Sequence, residues 1–118
     1  MSRRVARVAE ALQESVAGLV QRELKDPRVG MVTITRATVS PDLRQATVYF
    51  SQLGDDDARQ KSLQGLRSAA GFMRSQVARR LQLRVAPELH FEIDENIEYA
   101  ARMLDLLREN KPTEEEES

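Results

Sequence analysis

AAGFMRSQVARRLQLRVAPELHFEID, residues 69–94, switches backbone preference part-way through, and that switch decides the fold class. Ala70, Met73, Val77 and Leu81 recur at steps of three and four, the spacing that lays one apolar stripe along a helix. Pro87 interrupts that pattern. Beyond it Leu89, Phe91 and Ile93 alternate with His90 and Glu92, the period of a strand with one buried face. Upstream, Leu63 and Leu66 extend the stripe, so the helical reading runs from Ala58 to Leu83. One residue conflicts with a single straight helix: the stripe leaves Phe72 on the opposite, polar side, where a large apolar ring is costly. The neighbouring Gly71 is therefore the expected place for a kink, or for a break into two helices.

The rest of the chain completes an α+β pattern. From Arg3 to Lys25, Val5, Val8, Leu12, Val16 and Leu19 form another helical stripe, which Asp26-Pro27 ends by pushing the preceding backbone out of the helical region. Met31–Ser40 and Arg44–Gln52 are rich in β-branched residues and alternate, with Ser40-Pro41-Asp42-Leu43 between them as turn chemistry, so they predict a hairpin. Ala46, Val48 and Phe50 share one face of its second strand; Thr47, Tyr49 and Ser51 take the other. Gly54-Asp55-Asp56-Asp57 is a loop whose aspartates suit the start of the following helix. Ile97, Ala101, Leu104 and Leu107 support a short final helix. The expected order is helix, strand, strand, helix, helix, strand, helix: a three-stranded sheet backed by helices.

A chain of 118 residues with 41% hydrophobic residues accommodates one domain, placed over residues 1–110, and residues 111–118 read as a disordered acidic tail. Aromatic residues are only 4% and Trp is absent, so the core is expected from Leu, Val, Ile, Ala and Met, with Phe50, Phe72 and Phe91 as its large pieces. The lack of Cys removes disulfides and thiolate chemistry and suits a reducing cytoplasm. No apolar run is long enough for a membrane span or follows Arg3 and Arg4 as a signal peptide would.

Net charge is −1, but its distribution is uneven: residues 1–84 carry 15 basic and 8 acidic side chains, residues 85–118 carry 3 and 11. Residues 58–87 contain no Asp or Glu, where the whole-chain frequency predicts about five. They hold Arg59, Lys61, Arg67, Arg74, Arg79, Arg80 and Arg84. A merely solvated helix ordinarily mixes both signs for pairing along its face, and this stretch does not. The alternative is a surface shaped by phosphate, for which the planar guanidinium of Arg is suited. Arg3, Arg4, Arg7, Arg22, Lys25 and Arg28 make a second basic group, diluted by Glu10, Glu14, Glu23 and Asp26, which reads equally as a solvated face or as an extension of the same surface.

Catalytic and metal-binding signatures are sparse. His90, the single histidine, has no Cys, Ser or second His beside it and reads as an exposed or satisfied strand residue. Glu88, Glu92, Asp94, Glu95 and Glu98 crowd one region, but their spacing fits no calcium loop; a solvated strand edge and helix start is the expected role. Walker, GxGxxG and GxSxG patterns are absent, so neither enzymatic activity nor a cofactor or metal is expected.

The segment 69–94 resembles bacterial ribosome-binding factor A, and the likeness extends in order over about residues 3–108. It includes Arg4-Val5-Ala6-Arg7-Val8, Leu24-Lys25-Asp26-Pro27-Arg28 with Gly30, Ser40 with Asp42-Leu43, and Ala46-Thr47-Val48-Tyr49-Phe50. The resemblance implies a type II KH-like fold with an Ala-x-Gly kink, here Ala69-Ala70-Gly71, in place of the Gly-x-x-Gly loop of RNA-binding KH domains. It implies a cytoplasmic, non-catalytic factor, monomeric off the ribosome, that binds the immature 30S subunit, assists late maturation and processing of 16S rRNA, and is associated with growth in the cold. Contacts with ribosomal proteins are a further expectation. Ala69, Gly71, Arg74, Arg84, Pro87, Glu88 and Leu89 match the family pattern directly, and Arg79 and Arg80 match as basic positions. Arg67, Gly71, Arg74, Arg79, Arg80 and Arg84, with Arg3, Arg4, Arg7, Lys25 and Arg28, are the expected RNA-contacting residues. The competing reading, a KH-type regulator of free single-stranded RNA or DNA, calls for a Gly-x-x-Gly loop and stacking aromatics, in which this chain is poor.

Overall fold

The architecture comes from a computed structural model, which describes residues 2–96. Helix α1, Arg3–Arg22, starts where the Ser2 hydroxyl accepts the Val5 N–H and thereby satisfies one of the first-turn donors. Its stripe is the expected one: Val5, Ala9, Leu12, Val16 and Leu19 are buried. The helix stops short of Lys25 because the Glu23 and Leu24 N–H groups both converge on the Leu19 carbonyl. The loop that follows is seated on a later helix. Gly30 N–H donates to Ser62 Oγ, and a β-carbon on Gly65 would come within 2.6 Å of Val29 Cγ2, so only glycine lets the loop lie this close.

Strands β1 (Thr33–Val39) and β2 (Gln45–Ser51) form the antiparallel hairpin, and β3 (Glu88–Ile93) adds parallel to β2, in the order β1-β2-β3. Parallel pairing needs a long return, and helices α2 (Asp56–Ser68) and α3 (Ala70–Leu81) supply it. Ala46, Val48 and Phe50 of β2 and Leu89 and Phe91 of β3 point inward and are buried against the helices. Full burial of such Val, Leu and Phe side chains is worth about 1.5–3 kcal/mol each, which makes the central strand the anchor of the domain. α2 packs on β3, and α3 on both β3 and α1.

The helix break is real but sits at Ala69, which caps α2 with φ −88° and ψ −2°; Gly71 lies within the first turn of α3. Phe72 does not cause the break. The inward stripe of Leu63, Leu66, Met73 and Val77 stays on one side across the break, so Phe72 is left 49% exposed rather than becoming part of the core. What the break accomplishes is a change of partner, freeing α3 to reach α1. Two further expectations change. Arg59, read as part of a phosphate-facing surface, is buried: its guanidinium bonds the Gln52 and Gly54 carbonyls and Asp56. Asp94, read as part of a solvated edge, is also buried, accepting the Thr35 hydroxyl at 2.7 Å and pairing with Arg36 at 3.4 Å. Thr35 is free to reach it because the β1–β2 register shifts between Ile34 and Arg36. Glu95 and Asn96 have helical backbone; the expected helix through Ile97, Ala101, Leu104 and Leu107 lies outside the described residues, as does the acidic tail.

Candidate nucleic-acid interface

The cations divide into those already held by the protein and those left to solvent. Arg28 grips Asp26 through two side-chain bonds of 3.1 and 2.7 Å, which hold the Asp26 carboxyl below its ordinary pKa and raise that of Arg28. Lys61 pairs with Asp57 at 3.0 Å, which raises its pKa. Arg80 reaches Glu23 at 3.4 Å, linking the ends of α3 and α1. Arg74 donates from Nε and Nη2 to the Ala86 carbonyl at 3.1 and 3.0 Å, tying α3 to the segment that leads into β3. Arg28, Lys61, Arg74 and Arg80 are all exposed, but each spends donors on the protein.

Among the described residues, Arg3, Arg4, Arg7, Lys25, Arg67, Arg79 and Arg84 are exposed with no hydrogen-bond or ion-pair partner for the side chain. They do not form one patch. Arg3, Arg4 and Arg7 stand at the start of α1, whereas Lys25 and Arg28 lie past its far end, about 30 Å away along a 20-residue helix. Arg67 borders a shallow depression with Thr47, Ala70, Leu89 and His90 along the β3 edge. His90 faces outward there, its Nε2 2.7 Å from Gln45 Oε1. Gly71 is open, since a β-carbon there would meet nothing within 4 Å.

Arg4 and Arg84 line one cleft of about 610 Å³ together with Pro41, Asp42, Leu43, Arg44, Gln82, Leu83 and Val85. It joins the start of α1, the β1–β2 turn and the segment after α3. Arg44 was missed by sequence reasoning. Its position after a hairpin turn carries no signal of its own; the parallel pairing of Gln45 with Glu88 is what carries Arg84 alongside it. Asp42 holds the turn: its Oδ1 accepts the Ser40 hydroxyl at 2.7 Å and the Arg44 N–H at 3.1 Å, and these bonds lower its pKa. Leu43 (φ 63°) and Gln82 (φ 54°) line the same cleft and are the described non-glycine residues in left-handed backbone. Gln82 closes α3, with the Leu83 N–H reaching back to the Ala78 carbonyl, a cap that ordinarily takes glycine. Such backbone costs about 1–3 kcal/mol at each residue.

Three comparisons bear on this arrangement. The family model described as Ribosome-binding factor A matches residues 4–107. The chain belongs to the ribosome-binding factor A family. A ribosome-binding factor A of Geobacter sulfurreducens is 49% identical over 92% of each chain. The crystal structure of the Thermus thermophilus family member has a TM-score of 0.66 at 26% identity, covering 75% of this chain and 94% of that one. A second set of Thermus thermophilus coordinates, a homology model fitted into a cryo-EM map of a complex of the 30S subunit with that ribosome-binding factor A, has a TM-score of 0.59 at 26% identity over 79% and 93% of the two chains. The fold is therefore KH-like, as ribosome-binding factor A structures are. Among the described residues no helix is long and apolar enough to cross a membrane, and no group of three His, Cys, Asp or Glu side chains could hold a metal ion.

Proposed function

We propose that this protein binds the small ribosomal subunit through 16S rRNA phosphates and assists late maturation of that subunit without making or breaking a bond. The observation that carries this reading is the set of solvent-facing arginines without protein partners, in a chain of the ribosome-binding factor A family. Arg3, Arg4, Arg7, Arg67, Arg79 and Arg84 are the proposed phosphate contacts, with Lys25 as an outlying one. Arg28, Arg74 and Arg80 can still offer their remaining donors to RNA, but each would do so from a position set by a protein partner. Gly71 would permit close approach of an RNA strand to the start of α3, because nothing stands over it. Support for the partner comes from the likeness to the Thermus thermophilus coordinates fitted to the 30S complex.

Binding of this kind biases the folding of the RNA by holding one arrangement of its backbone, and its free energy comes largely from counterion release. Sedimenting lysate through a density gradient tests it. The protein is expected with free small subunits and their precursors; its absence from those fractions would overturn the reading. Precursor 16S rRNA is expected to accumulate in cells lacking the protein.

A further inference from the structure

We infer that the cleft between Arg4, Arg44 and Arg84 is the principal phosphate-binding site of the protein and takes consecutive phosphates of one RNA strand. This rests on the reading of the protein as an rRNA binder and deepens it, because it selects one end of the molecule and adds Arg44. Three independent features converge there. Three arginines from three separate parts of the chain line one cleft without a side-chain hydrogen bond or ion pair among the described residues, Arg44 sharing only the field of the nearby Asp42 carboxylate, whereas Arg28, Arg59, Arg74 and Arg80 are each bonded to the protein. Planar guanidinium groups can each grip a phosphate through two donors.

The second feature is the backbone. Leu43 and Gln82, left-handed positions where glycine would sit without strain, both line this cleft. Residues held in such conformations concentrate at binding sites, because a strained turn that is fixed by its surroundings holds its neighbours in place. Leu43 is fixed by packing against the core and by its N–H bond to the Ser40 carbonyl, so the adjacent Arg44 enters the cleft from a rigid turn.

The third feature is what the lining lacks. It holds no aromatic ring, so it has no platform on which a base could stack, and a cleft of about 610 Å³ has room for more than a single phosphate. The site therefore reads backbone rather than base. Asp42, the one acid in the lining, has Oδ1 committed to the Ser40 hydroxyl and the Arg44 N–H, so it serves the turn that carries Arg44.

The test measures binding of Arg44→Ala, Arg84→Ala and the double variant to purified small subunits over a range of salt concentrations, with Arg67→Ala/Arg79→Ala as the comparison pair. Loss of both cleft arginines is expected to flatten the log-log salt dependence by roughly 1.5 units and weaken binding at least tenfold, with melting temperature unchanged. Arg44→Lys is expected to keep the slope and lose part of the affinity, since charge remains but the two-pronged grip does not. If the comparison pair weakens binding and the cleft variants do not, the cleft assignment is overturned while the rRNA reading stands. If the unaltered protein does not bind subunits, the rRNA reading itself fails. A second arm titrates the protein with inorganic phosphate and with a short single-stranded oligoribonucleotide, following the Arg44 and Arg84 side-chain resonances by NMR. Saturation by the oligoribonucleotide at far lower concentration supports the strand; equal saturation by inorganic phosphate would make the cleft a small-anion site and overturn the proposal.

Discussion

The two ends of the acid-free stretch, residues 58–87, use the same side chain for opposite purposes. At its start Arg59 is buried, wrapped by the Gln52 and Gly54 carbonyls and Asp56, and two residues on Lys61 is paired with Asp57. At its close Arg84 stands in a solvent-filled cleft with Arg4 and Arg44 and no partner among the described residues. Absence of acids inside the stretch is common to both ends. The difference is what folding places beside them: Asp56 and Asp57 lie just upstream and within one helical turn, whereas two more arginines arrive at the other end from distant parts of the chain. An arginine-rich segment is thus an interface only where the fold does not satisfy it.

The largest effect expected from this contrast is on stability. Arg59→Ala should lower the unfolding free energy by about 2 kcal/mol in urea titrations, because two carbonyls lose their donor, while Arg84→Ala should stay within about 0.5 kcal/mol. Equal effects at the two ends would remove the distinction. Phe72→Ala tests the middle of the stretch. With half of its ring exposed, its truncation should cost about 1 kcal/mol or less, far below the 3–5 kcal/mol typical of a buried aromatic.

Smaller changes separate the free chain from its complex. Gln82→Gly should raise stability by up to about 1 kcal/mol by relieving left-handed backbone at the α3 cap, and should weaken subunit binding if rigidity of the cleft matters. Gly71→Ala should stabilise α3 by about 0.5–1 kcal/mol, since the added methyl meets nothing, and should weaken binding where RNA approaches the kink. The slightest effect concerns the turn beside the cleft. The folded-state pKa of Asp42 is lowered by the Ser40 hydroxyl and the Arg44 N–H, so its stabilising contribution is present above the unfolded carboxylate value and is lost as pH falls through the folded one. A lower protection factor of the Arg44 amide at acid pH, relative to its intrinsic exchange rate and absent in Asp42→Asn, would show it.

The sequence by itself determined the order of the six described elements, because period is local: the steps of three and four in α1 and the alternation in β2 and β3 appear wherever one face must be buried. It also determined that the long helix divides, although the exposed Phe72 is not what forces the division. An exposed aromatic and a buried one look alike in a one-dimensional pattern, and only the direction of α3 relative to α1 shows that Phe72 faces outward. Strand order and the parallel pairing of β2 with β3 belong to tertiary structure, as does everything that follows from them. Burial of Asp94 depends on a register shift in β1 that no spacing announces. Which arginines are free was likewise decided in three dimensions, because Coulomb interactions and hydrogen bonds depend on distance through space, and only folding sets that distance between residues 4, 44 and 84.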